Sequence, residues 1–366
     1  NKMNNGAVGA IMTAGVNPAY SLPNADVFVK ALKNVDVKVA FSSKMDETAK
    51  LCNFVAATPH YLESWGDVQL TKNYFSLMQP TIKPLFDTRQ FQDCLLKWTG
   101  SEKSYYEYIK ETWKGKLGSS SWSTALHDGV FESNSTLSEE SDAEFLGAGV
   151  SASASARKLS QSEKGKGLEL TLYTKTALGD GEQANNPWLQ ELPDPITRAS
   201  WDNYLTVSKA DAEAMDLENK HVANGGLNGS YVTVKLGKTE LKNVPVIIQP
   251  GQAKGSVGLA LGYGRKEAIQ EEMQVGVNAY PLYKDFNNVQ NITIEKASGE
   301  HEFACVQLHN TLMGRGDVVK ETTLEIFNTK DKHEWNSTPH VSLNHEPVPV
   351  TSPEVDLWDE FDRTIL

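Results

Sequence analysis

Gly262, Tyr263, Gly264 and Arg265 come closest to a phosphate cradle in this chain: two glycines whose backbone N–H groups could face an anion, with a guanidinium beside them. The run matches neither G-x-x-x-x-G-K-S/T nor a G-x-G-x-x-G between strand and helix, and a barrel corner needing positive φ explains the glycines at less cost. Asn17-Pro18 and Glu47-Thr48 follow apolar runs expected to be parallel strands. They therefore fall at the carboxyl ends of those strands, where open α/β sheets bind ligands. Other chemistry finds little support. His60, His127 and His221 have no second ligand at metal-binding spacing, and H-E-x-x-H is absent. His309, His333, His340 and His345 are expected in solvated loops, and G-x-S-x-G does not occur. Cys52, Cys94 and Cys305 are too far apart to form the close-spaced thiolate set of an iron–sulfur cluster, so three buried or semi-buried thiols are expected. Glu139-Glu140 and Glu271-Glu272 read as solvated faces. The sequence thus nominates no catalytic residue and no metal site.

The elements that must position these residues divide the chain of 366 residues into two halves. In the first, apolar runs at residues 8–13, 37–42 and 54–57 read as strands. A helix from Pro23-Asn24 to about Asn34 and another starting at Asp46 separate them, which predicts a doubly wound parallel sheet. Residues 87–98 and 102–113 read as amphipathic helices, presenting Phe91, Cys94, Leu95 and Trp98, then Tyr105, Tyr106, Ile109 and Trp113. Such an aromatic row is expected in a core. Residues 133–167 are rich in Ser, Ala, Gly and Glu, and read as a surface linker with one short helix.

The second half is denser in signals. Residues 205–207 read as a strand, Ser208 as an N-cap with Asp211 three residues on, and Ala210, Ala212 and Ala214 as a brief helix ending near Leu217. Residues 231–236 and 257–261 alternate, residues 244–248 are a solid apolar run, and further strands are expected at 290–295 and 303–308. The sum is a small β-barrel with one capping helix, followed by a proline-spaced extended arm over residues 340–353.

Together these patterns resemble molybdopterin oxidoreductases. Asn17-Pro18, then Glu47, Thr48 and Ala49, then Pro59, Glu63 and Gly66 look like the family's third domain, though Cys52 and Asn53 stand where alanine and aspartate are common. The order of strand, S-x-A-D-A helix, alternating strand, apolar strand and glycine-rich end looks like its C-terminal double-psi barrel. The resemblance covers most of residues 1–115 and 165–280, and the wording NPWLQELPDPITRASWDNY is similar to the B subunit of bacterial alternative complex III. It implies four parts: an α/β domain over 1–118, a linker over 119–167, a double-psi barrel over 168–300, and C-terminal strands with a docking arm over 301–366.

For function, the resemblance implies a scaffold without a catalytic site in a quinol-oxidising respiratory complex, positioning iron–sulfur and haem subunits for electron transfer. Cofactor-bearing relatives show a T-G-R-type turn at the barrel's start, whereas here LYTKTALGDG supplies only Lys175. Asn17, Lys175, Gly262, Gly264 and Arg265 are accordingly expected to be vestiges of a pterin site, with no cofactor in this segment. Iron–sulfur clusters and haem c would lie in neighbouring domains or subunits. The iron–sulfur domain would begin where this chain ends, and the opening run GAVGAIMTAG suggests missing upstream sequence. The alternative is a fragment of an active molybdopterin-dependent oxidoreductase holding a pterin dinucleotide. The resemblance also implies haem-c and quinol-binding partner subunits on the periplasmic side of the bacterial inner membrane. The net charge of −12 argues against a nucleic-acid surface, and no apolar stretch is long enough to span a bilayer.

Overall fold

The computed structural model describes residues 2–71, 73–132, 151–160, 167–222, 226–306, 320–337, 340–343 and 346–349. Asn1–Val306 form one compact unit and Gln307–Leu366 a second.

The first unit opens with β1 (Ala10–Ala14), α1 (Pro18–Ser21), α2 (Ala25–Leu32), β2 (Val37–Ser42) and β3 (Phe54–Ala57). The strands pair in parallel, Met12 beside Val39 and Val39 beside Phe54. Their order is β1-β2-β3, so the sheet advances in one direction and never turns back. The doubly wound arrangement expected from the sequence is therefore corrected to a singly wound three-stranded sheet. The helix expected after Asp46 is likewise a single 3-10 turn, Ala49–Leu51. Its limits are local: Asp46 caps it by accepting from Thr48 N and Ala49 N, and Asn53 is already paired with Lys38 in the approach to β3.

An antiparallel sheet missed by the sequence reading follows, from β4 (Gly66–Thr71) and β5 (Tyr74–Met78). Then come α3 (Phe91–Trp98), α4 (Tyr105–Lys114), α5 (Trp122–Asp128) and β6 (Val130–Glu132), which adds to the β5 edge. The expected aromatic row is core on α4 alone: Phe75, Ile109, Trp113, Leu117 and Ala125 pack together, and the fully buried Trp113 donates through its indole Nε1 to Asp67 at 2.8 Å, whereas α3 buries no residue and leaves Leu95 and Trp98 exposed. Ser104 starts α4 with a capping box to Glu107. Because α5 and β6 are built into this packing, the linker expected from residue 119 has an ordered beginning. The short helix expected in it is α6 (Ala152–Ser160); residues 133–150 and 161–166 lie outside the described residues.

The barrel comprises β7 (Leu168–Thr174), α7 (Pro187–Glu191), β8 (Leu205–Val207), α8 (Lys209–Ala214), β9 (Asn219–His221), β10 (Leu227–Leu236), β11 (Thr239–Ile248), β12 (Ser256–Leu261) and β13 (Val289–Phe303). Strand order β11-β8-β12-β7-β13-β10, with β10 pairing back onto β11, closes a six-stranded ring that β9 extends at one side. The pairs β11–β8 and β12–β7 are parallel and the other neighbours antiparallel. Leu170, Leu172, Leu205, Val232, Val246 and Leu259 fill the ring. Ser208 caps α8 as expected, accepting from Asp211 N at 3.1 Å and donating to Asp211 Oδ2 at 2.6 Å. The strand expected at 290–295 lies within the long β13, which crosses from β7 to β10, but the strand expected at 303–308 is not formed in its described part: β13 ends at Phe303 and only an isolated bridge from Cys305 to Ala199 follows, while residues 307 and 308 lie outside the described residues.

In the second unit α9 (Leu324–Thr329) and α10 (Lys332–Trp335) begin on caps from Thr323 and Asp331. The expected extended arm is a hairpin in its described part, β14 (His340–Leu343) antiparallel to β15 (Glu346–Pro349). Residues 350–366 lie outside the described residues.

Candidate functional site

A cleft of about 1050 Å³ opens at the carboxyl ends of β1, β2 and β3. Turns after these strands form one wall, the β4–β5 hairpin and the start of α3 another, and the barrel loop at Asp180, Gly181 and Glu182 the third. Tyr61, Trp65, Phe91 and Tyr105 give it aromatic surface. Parallel strands direct their following loops to this edge, which is why Asn17 and Glu47 meet here although they stand 30 positions apart in the chain.

At one end of the cleft Glu47 is the hub. Its carboxylate accepts from Arg265 Nε at 2.8 and 2.9 Å, from Asn17 Nδ2 at 2.7 Å, and from the backbone N–H groups of Lys266 and Glu267. Burial alone would raise the Glu47 pKa, but the hydrogen bonds from Arg265, Asn17 and Lys266 outweigh it and hold the carboxyl down at about 2. Arg265 is itself only 5% exposed. Its remaining donors reach Gly181 O at 2.7 Å and Glu267 O, and its guanidinium lies 5.0 Å from the centroid of the Tyr20 ring. Thr48 joins from the other side, its N–H and hydroxyl both donating to Asn17 Oδ1. The ion pair thus rivets the α/β sheet to the barrel.

Gly262 and Gly264 have φ of +93° and +70°. A β-carbon on Gly262 would sit 2.6 Å from Gly179 O, and one on Gly264 would sit 2.2 Å from Asn278 N. The chain's own backbone therefore occupies the space that the missing side chains create. Gly264 N–H donates to Val275 O, and Tyr263 O accepts from Tyr20 OH at 2.7 Å.

Lys175 lies apart from this group, buried just beyond the end of β7. Its ammonium donates to Asp202 O at 2.9 Å, sits 3.8 Å from Asp194 Oδ2 and lies 4.0 Å from the centroid of the Tyr204 ring. Burial lowers its pKa to about 8, with Asp194 and Asp202 opposing the shift. The structure therefore joins Asn17 to Arg265 through Glu47 and keeps Lys175 separate; Tyr263, 5.4 Å from the ammonium, stands beside it.

Polar residues organise the stretch from Asn186 to Tyr204, where Asn186-Pro187, expected from the sequence to fix an extended, non-helical entry, instead starts α7 with proline in its first turn. Asn186 caps α7, Gln190 Nε2 binds Ala184 O and Met273 O, and Asp194 closes a turn by accepting from Ile196 N and Thr197 N. Asn203, wholly buried, donates to Ala260 O and Val277 O and accepts from Val277 N. These are backbone-satisfying roles for polar side chains in a barrel wall, and asparagine, aspartate and glutamine at such positions are the only sequence signal of them. His301, which the sequence reading left out, accepts or donates at both ring nitrogens, to Tyr231 OH at 2.8 Å and Asp202 Oδ2 at 2.7 Å. His60 caps a 3-10 turn and His127 pairs with Asp128 at the surface. Among the described residues no His, Cys, Asp and Glu cluster could hold a metal ion, and no helix is long and apolar enough to cross a membrane. Cys52, Cys94 and Cys305 are free thiols, half-buried as expected.

Comparison with known proteins places these observations. No protein-family model matches the chain. Its sequence is similar to the menaquinone reductase molybdopterin-binding-like subunit of Nitratidesulfovibrio vulgaris, with 37% identity over 95 residues, which is 25% of this chain and 14% of that protein. Among solved structures it is similar to acetylene hydratase from Pelobacter acetylenicus, with a TM-score of 0.58 at 16% identity. The chain shares the fold of part of that enzyme. The match covers 81% of this chain and 46% of the hydratase, so the chain spans only a fraction of either relative. These similarities support the reading of the fold as a molybdopterin-oxidoreductase-like region.

Proposed function

We propose that this chain is a non-catalytic scaffold region of a quinol-linked respiratory oxidoreductase of the alternative complex III kind, and that it fixes the positions of iron–sulfur and haem subunits. One observation carries the reading. Arg265, the cation that would face the diphosphate of a pterin dinucleotide, is turned inward and closed onto Glu47, while the neighbouring glycines are filled by backbone. An anion at this loop would have to displace an ion pair with an uncommonly acidic carboxyl, so the residues present do not fit that cofactor. Asn17, Lys175, Gly262, Gly264 and Arg265 are then structural vestiges, each now satisfied within the fold. The closed ring with two parallel strand pairs supports a double-psi barrel. Similarity to a subunit named for menaquinone reductase supports the quinol-linked setting and, with it, assembly with other subunits; that these include haem-c and quinol-binding subunits on the periplasmic side of the membrane is part of the same proposal.

A second reading, a cofactor-bearing fragment of an active molybdopterin enzyme, draws on the cleft's place at the carboxyl edge of parallel strands. Affinity isolation of the tagged chain from detergent-solubilised membranes of its source tests the assembly. Recovery with haem-bearing subunits and quinol-oxidising activity is the expected result; recovery of the chain alone, from the soluble fraction, would contradict it.

A further inference from the structure

The sign of the charge in the cleft is the reverse of what a nucleotide diphosphate requires. Four carboxylates line it, those of Asp46, Asp67, Asp180 and Glu182, against two cations, Lys44 and Arg265. Arg265 is neutralised by Glu47, and Lys44 donates to the carbonyl oxygen of Glu182, so one cationic charge stands against the four carboxylates. The carboxylates keep acceptor capacity. Asp67 takes one hydrogen bond, from Trp113 Nε1 to Oδ2, and the side chain of Glu182 is exposed at the rim. Aromatic rings share the lining, and guanidinium groups pack favourably over such rings. The cavity of about 1050 Å³ also sits at the top of the size range of small-molecule pockets, roughly 300–1,000 Å³. A cleft walled by one sign of charge concentrates the field within it, repelling polyanions and drawing in cations.

We infer that the cleft receives a basic, extended polypeptide segment of a neighbouring subunit, whose Arg or Lys side chains meet Asp67, Asp180 and Glu182. The inference rests on the scaffold reading and gives the vacated cofactor edge a use as a subunit socket. Charge complementarity selects the occupant, since four lining carboxylates stand against the single charge of Lys44 once Arg265 is paired with Glu47.

Fluorescence anisotropy on the purified full chain tests it, with a short labelled peptide alternating Arg and Leu, a charge-reversed Glu and Leu peptide, and guanosine diphosphate as competitor. The Arg peptide is expected to bind, with affinity falling as salt rises, and neither the Glu peptide nor the diphosphate should displace it. Asp67→Asn keeps an acceptor for Trp113, and Glu182→Gln changes an exposed side chain. Each should weaken binding by about three- to fivefold, the scale of a single partly exposed ion pair, at an unchanged melting temperature. Glu213→Gln, an exposed carboxylate on α8 outside the cleft lining, should change affinity by less than either. Displacement by the diphosphate, equal binding of the Glu peptide, or equal effects of Glu213→Gln and the cleft variants would overturn the inference. The metal content of the assembled complex reports on the scaffold reading alone, so the two can fail separately.

Discussion

Glu47→Gln separates a rivet from a latent anion site. The native carboxyl is held at about 2 against an ordinary value of 4.5, a difference that solvent screening of this half-buried group limits to at most about 3 kcal/mol of stability at neutral pH. The sign follows from the depressed folded value. Stabilisation is present in full above the unfolded pKa and is lost as pH falls from about 4.5 towards 2. Glutamine keeps one acceptor oxygen but leaves Arg265, only 5% exposed, without its counter-charge, and breaking a buried pair in this way costs about 3–5 kcal/mol. Urea denaturation of wild type, Glu47→Gln, Arg265→Met and the double variant at pH 7 gives the cycle; repeating wild type and Glu47→Gln from pH 5 to 2.5 gives the titration. The reasoning expects a large single-variant loss, a double variant well short of additive, and a flatter acid limb in Glu47→Gln. A loss under about 1 kcal/mol, with an acid limb like wild type, would refute it, because that is the range of a solvent-screened pair.

Three further outcomes follow from the same geometry. Gly262→Ala should lower stability by about 2 kcal/mol or more in thermal denaturation, because its β-carbon would meet Gly179 O at 2.6 Å in a backbone conformation at φ +93°. Lys175 has a folded pKa of about 8, below its ordinary 10.5, so the unfolded state binds the proton more tightly between those values. Wild type should therefore gain stability as pH rises from about 8 to 10.5, and Lys175→Met should abolish that gain in denaturant titrations. Trp113→Ala should cost about 3–5 kcal/mol by urea unfolding, since it removes the fully buried ring around which β5, β6 and α4 pack and orphans Asp67.

Where local signals sufficed, the sequence was readable. β2, β3 and β8 stand at the expected residues, and Ser208 caps α8, because apolar runs and capping residues act over a few positions. The winding of the α/β sheet was not readable that way, and the expected doubly wound sheet is singly wound, since winding is set by the order in which separate strands pair. The β4–β5–β6 sheet escaped because Gly66–Thr71 and Tyr74–Met78 expose much of their surface and alternate weakly, and β6 joins them from more than 50 residues away. At the site, the sequence supplied Asn17, Glu47 and Arg265 as separate motif residues. It could not show that Arg265 points inward to Glu47 across 218 positions, and that pairing turns a phosphate-cradle pattern into a rivet.

The most direct measurement of the central claim is metal and pterin analysis of the intact purified complex: elemental molybdenum and tungsten together with fluorescence of the oxidised pterin. The account predicts neither metal nor pterin at stoichiometric level, alongside abundant iron and haem. Stoichiometric molybdenum with a pterin dinucleotide would contradict it, and would make the cleft beside Asn17, Glu47 and Arg265 a working cofactor site.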